Sequence, residues 1–139
     1  MWICSFCKQK FINNNQVHSC NDKVLDDFLL HKSAHTLDLF WNFINHFQRI
    51  GNVPVHPTKS MIALAAKKRI AYIIRLGLDF IDVVFPFQQP YNENLCFHKI
   101  VQVPGTSQYN HHLRITNRKD INAEVKQFMK LAYKEGQGE

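Results

Sequence analysis

Residues 61–87, MIALAAKKRIAYIIRLGLDFIDVVFPF, decide the fold. They divide into three apolar runs, Met61–Ala66, Arg69–Leu76 and Leu78–Phe87, each of strand length, the second and third rich in β-branched or aromatic residues. Lys67-Lys68 and Gly77 break them, and connections this short join antiparallel neighbours. Downstream, Phe97–Val103 and Tyr109–Thr116 read as two more strands, with breaks through Gln88–Leu95 and at Pro104-Gly105. Upstream, Ser33 can start a helix that carries Leu37, Phe40, Trp41, Ile44 and Phe47 at helical spacing and stops at Gly51. A shorter helix with Val24, Leu25, Phe28 and Leu29 on one face precedes it, capped by Asn21 or Asp22. Asn52–Thr58, with two prolines, reads as an extended connection. Asn117 or Asp120 opens a last helix with Ile121, Val125, Phe128 and Ala132 on one stripe. Helices before and after a run of strands predict an α+β fold, an antiparallel sheet of about four to five strands packed by helices.

With 139 residues and 45% hydrophobic content, the chain can bury one ordinary core. No apolar run is long enough to span a bilayer, and repeats are absent. The division expected is a small module over residues 1–21 and an α+β body over 22–139, together one compact unit.

The module rests on Cys4, Cys7, His18 and Cys20. In Cys4-x-x-Cys7 two thiolates converge from a tight turn, and a third thiolate with one imidazole completes the tetrahedron that zinc accepts. Soft sulfur favours zinc over magnesium or calcium. Trp2 and Phe11 flank the pair and can shield the metal. The opening is that of a classical zinc finger, whereas the second half is not: one residue separates His18 from Cys20, and no long helix fits between Phe11 and Cys20. His18 is the weaker member, because residues two apart on an extended segment point to opposite sides, and His31 or His35 could stand in for it. A disulfide framework is disfavoured, since no apolar signal segment follows Met1 and Cys96 stands alone in the second half. The expected compartment is the reducing cytoplasm.

Met1-Trp2-x-Cys4-x-x-Cys7 followed by Asn15-Gln16-x-His18-Ser19-Cys20 resembles the head of a bacterial domain-of-unknown-function family. Pro57, Lys59-Ser60, Arg69-Ile70-Ala71, the apolar run Leu78–Phe87, His112-Leu113-Arg114-Ile115 and the closing Ala132-Tyr133 agree with it. The resemblance implies a zinc head on an α+β body and no particular activity.

Charge is lopsided. The net charge is +6, and the interval from Leu39 to Leu78 holds Arg49, Lys59, Lys67, Lys68, Arg69 and Arg75 with no Asp or Glu, so it accounts for the whole of it. If Lys67-Lys68 is a hairpin tip, Lys59, Lys67, Lys68, Arg69 and Arg75 are expected to share one edge of the sheet, where a polyanion such as nucleic acid is the natural partner. Lysines at a hairpin tip also serve solubility and discourage edge pairing. On the last strand, alternation puts His112 and Arg114 on one side, as a candidate ligand pair that Lys99 could join, and His111 on the other with Leu113 and Ile115.

Most of the eleven phenylalanines fall at core spacing. Tyr72 lies on the basic strand, where a ring beside arginines can stack on a base. The motifs of phosphate loops, dinucleotide folds, hydrolase elbows and zinc proteases are missing. Asp79 and Asp82 are three apart on a strand and cannot converge as a hydrolytic pair. These observations favour a binding or adaptor unit over an enzyme, with nucleic acid as the first partner. The alternatives are a phosphate or carboxylate site built from Lys59, Arg69, Arg75, His112 and Arg114, and a protein-interaction module docking through its zinc head.

Overall fold

The computed structural model describes residues 24–94 and 96–137, together with the backbones of two short strands, β1 (Trp2–Ile3) and β2 (Lys10–Phe11). These two strands pair antiparallel, Trp2 opposite Phe11 and Ile3 opposite Lys10. The proposed ligands Cys4, Cys7, His18 and Cys20, and the proposed caps Asn21 and Asp22, lie outside the described residues.

The body is α+β. Helices α1 (Leu25–Leu29) and α2 (Ala34–Ile50) lead into strands β3 (Val55–Pro57), β4 (Ile62–Ala65), β5 (Arg69–Leu76), β6 (Ile81–Phe87), β7 (Lys99–Gln102) and β8 (Tyr109–Ile115), and helix α3 (Ala123–Gly136) closes the chain. The six strands from β3 to β8 form one sheet in the order β3-β4-β5-β6-β8-β7, every neighbouring pair antiparallel. That is more strands than expected, because residues 52–58 do not merely connect. Val55, His56 and Pro57 pair with Leu64, Ala63 and Ile62. Proline is tolerated there because β3 is an edge strand, where a missing N–H costs no ladder bond.

Helix α2 starts and stops where its chemistry requires. The Ser33 hydroxyl accepts from the Thr36 N–H at 3.1 Å, and the Gly51 N–H donates to the Phe47 carbonyl at 3.1 Å. Gly51 has an extended backbone, so its value is space: a Cβ there would overlap the Tyr133 ring. The buried stripe is Leu39, Phe40, Phe43, Ile44 and Phe47, rotated from the expected one, and Trp41 is 45% exposed beside Phe40.

Strand β6 begins at Ile81 rather than Leu78. A turn intervenes, closed by the Gly77 N–H on the Phe80 carbonyl at 2.8 Å. The Leu78 side chain is accordingly 78% exposed, while its carbonyl accepts from the Ser33 and Thr36 hydroxyls at 2.7 and 2.9 Å. The turn residue is held by its backbone and leaves its side chain outside. Asn117 and Asp120 likewise do not open α3. Asn117 caps a short 3-10 turn at Arg118–Asp120, and Asn122 caps the helix, accepting from the Val125 N–H at 3.0 Å.

Both long helices pack on one face. Ile81, Val83, Phe85 and Phe87 of β6, with His111, Leu113 and Ile115 of β8, meet Phe43, Phe47, Phe128 and Met129 in a single core. His111 belongs to that core, as alternation on β8 predicts: it is 0% exposed. No helix among the described residues is long and apolar enough to cross a membrane.

Candidate functional site

The sheet face turned away from α2 and α3 is where the polar and basic strand residues collect. One cross-strand row runs His56, Ala63, Tyr72, Val84, His112, Lys99 over six adjacent strands. The next row carries Arg75, Asp82 and Arg114 on β5, β6 and β8. The β5 ladder shifts register twice, between Leu64 and Ala65 opposite it and between its own Ile73 and Arg75. Such bulges re-aim side chains. They let Ile70 enter the core while Arg69 lies over the Tyr72 ring at 5.7 Å.

The five cations read as one polyanion site do not lie together. Lys67 and Lys68 form the β4–β5 tip, with Arg69 directly after it, and the Lys68 N–H donates to the Gly136 carbonyl at 2.9 Å. Lys59 sits in the β3–β4 turn at the opposite end of β4, and Arg75 is at the far end of β5. A strand rises about 3.3 Å per residue, so Arg69 and Arg75 are roughly 20 Å apart. Nor is this an edge, because β4 and β5 are interior and β3 covers them on that side.

His112 and Arg114 do share the open face, with different engagements. Arg114 makes a two-pronged bond to Asp82, Nε to Oδ1 at 2.8 Å and an Nη to Oδ2 at 3.0 Å, which raises its already high pKa. Its guanidinium also lies 4.0 Å from the centre of the Phe80 ring, which Arg75 approaches at 5.3 Å. Asp82 is therefore a structural counterion in a row with two arginines, and Asp79 is exposed in the turn before β6. His112 has its pKa lowered, first by burial and then by the positive charge of Lys99 and His98, so its imidazole is neutral at neutral pH.

His112 lines a hollow of about 300 Å³ on this face, with Tyr72, Gln108 and Asn110 as its other polar walls and Met61, Ile74 and Val84 as its apolar ones. The volume is at the lower end of small-molecule sites. Reading the sequence by strands missed Gln108 and Asn110, although β8 alternation places Asn110 with His112 and Arg114. A larger hollow of about 570 Å³ lies at the sheet end, where Asp27, His31, Lys32 and Ser60 meet Arg75. His31 is there in a left-handed conformation, at φ 61°.

Among the described residues no group of His, Cys, Asp and Glu could hold a metal ion. Cys96 is no nucleophile: burial and the neighbouring Glu124 push its thiol up to about 12, so the reactive thiolate is scarce at neutral pH. Comparison with known proteins finds no matching family model, curated protein or solved structure.

Proposed function

We propose that this protein binds single-stranded nucleic acid across the open face of its sheet. The observation that carries the reading is the Tyr72–Val84–His112 row, ring-bearing at both ends and bordered by Arg69, Arg75, Lys99 and Arg114 with Asp82 as the acid in those rows. A sheet that offers rings to unstacked bases and guanidinium groups to phosphates suits a single strand, whose bases can splay onto it. Cations spread along about 20 Å of strand suit an extended chain better than one compact anion.

The N-terminal residues enter this reading as a structural zinc module. Three thiols and one imidazole suit zinc, and the backbone pairing of Trp2 with Phe11 joins the residues on either side of Cys4-x-x-Cys7. A closed site of this kind stabilises a fold and performs no reaction. Thiolate ligands also call for a reducing compartment, which favours the cytoplasm.

Fluorescence anisotropy with labelled single-stranded DNA and RNA tests the proposal. Affinity is expected to fall steeply with salt, because each neutralised phosphate releases condensed counterions. No retention of either polymer at low salt overturns it. The second reading, a phosphate or carboxylate ligand, rests on the larger hollow where Lys32, His31 and Arg75 meet. It would then lead.

A further inference from the structure

We infer that the hollow over Val84 is a pocket for one nucleobase, so that the face grips a base edge as well as the phosphate chain; the inference rests on the nucleic-acid reading above. Tyr72 and His112 stand on β5 and β8, with Val84 of β6 between them in the same row. Neighbouring strands are about 4.8 Å apart, so the two ring-bearing positions are separated by roughly 10 Å, with a small side chain as the floor. A flat heterocycle can enter such a slot with a ring on each side, and Met61 and Ile74 complete its apolar lining.

The polar wall is specific in kind. Gln108 Nε2 donates to Asn110 Oδ1 at 3.0 Å, and neither amide has another side-chain hydrogen bond among the described residues. Each amide has one carbonyl and one NH2 group. The bond between them uses one oxygen and one N–H, leaving a free carbonyl on one amide and a free NH2 on the other. Exchanging O and N in both side chains leaves the same set, so the conclusion does not depend on which way either amide is turned. A donor and an acceptor held together in the wall of a hollow that Tyr72 and His112 also line match the edge of a nucleobase, where a hydrogen-bond donor adjoins an acceptor. Such amides are the usual partners of adenine. The neutral His112 adds a ring that does not repel a neutral base. Arg69, beside Tyr72, is placed for the phosphate of the bound nucleotide.

The test compares a single-stranded oligomer with one of the same length whose units all lack bases. A stacked base contributes a large part of single-strand affinity, so the base-bearing oligomer is expected to bind roughly tenfold tighter at equal salt. Asn110→Leu and, separately, Gln108→Ala are expected to bring it down toward the abasic level, with unchanged melting temperature showing that the sheet is intact. Equal binding of the two oligomers by the wild-type protein overturns the pocket and leaves the polyanion reading standing. If neither oligomer binds at low salt, the polyanion reading fails, and adenosine monophosphate decides the pocket alone. Shifts of the Tyr72 and His112 ring resonances on titration, lost in Asn110→Leu, support it, and their absence in the wild type overturns it.

Discussion

The backbone N–H of Tyr91 donates to Nε2 of the buried His111 at 3.1 Å, while Nδ1 of the same ring donates to the Tyr109 carbonyl at 2.8 Å. The two bonds fix one neutral tautomer, in which one nitrogen accepts and the other donates. Phe87, Tyr91, Phe97 and Phe128 surround the site, with Phe87 and Phe97 ring centres 5.0 Å from that of His111. The imidazole thereby ties the connection between β6 and β7 to the core, a role no aliphatic side chain could take.

Stability is expected to fall on mild acidification for this reason. Burial lowers the pKa of His111 in the folded state. The unfolded chain takes up its proton near pH 6.5, so below that the unfolded state binds more protons than the folded one. The contribution is fully present above about pH 6.5 and is lost as pH falls through that value toward the lowered folded pKa. His46, His56 and His112 are shifted in the same direction and add to the slope. His111→Phe should flatten the dependence of urea midpoints on pH below about 6.5. It should also cost about 1–3 kcal/mol at neutral pH, because the Tyr91 N–H loses its acceptor.

Removing Asp82 separates binding from stability. Asp82→Asn leaves Arg114 without its counterion in a row that already holds Arg75. The Arg114 side chain is 47% exposed, so solvent screens the pair and thermal unfolding should change little. Polyanion affinity should rise. A loss of affinity in the folded variant would put the binding surface elsewhere.

Single cation changes on the open face should each reduce the salt dependence. Arg75→Ala and Lys99→Ala are expected to lower the slope of log K against log[salt] by about 0.7 each, the share of one phosphate on a single strand. Charge reversal at Lys67 and Lys68, which form the β4–β5 tip, should weaken binding less than reversal at Arg69 and Arg75.

One zinc per chain is expected, and elemental analysis of reduced protein checks it. Cys7→Ser should release the metal and unfold the head, since zinc contributes on the order of 10 kcal/mol to small sites, while the far-ultraviolet spectrum of the body persists. His18→Ala should weaken zinc retention and His31→Ala should not. The reverse ranking would make His31 the ligand.

Cys96 should resist alkylation in the native protein and react only after unfolding, because its pKa near 12 keeps the thiol protonated. Mass spectrometry after iodoacetamide treatment at neutral pH reads this directly.

Much of the local structure was legible in the chain. Helix α2 was bounded by Ser33 and Gly51, and β5 ran from Arg69 to Leu76, as read. The segregation of His111 from His112 and Arg114 followed from alternation alone, because successive side chains on a strand must face opposite ways. The separation of Lys67-Lys68 from Lys59 was also implicit in the hairpins, since the two turns of an interior strand lie at its opposite ends.

What the sequence by itself determined is what depends on neighbours along the chain: the α+β class, the Ser33 and Gly51 bounds of α2, the faces of the strands and an acid-free interval holding the whole net charge. Tertiary structure decided what depends on partners far apart in sequence. Nothing local tells β8 to insert between β6 and β7, or Val55–Pro57 to become an edge strand, because pairing is chosen by the side chains each strand can bury and by what lies beside it. Asp82 met Arg114, and Tyr72 and His112 came to flank Val84, only through that order. The hollow on the open face is therefore a property of strand order, a non-local choice that no window of sequence contains.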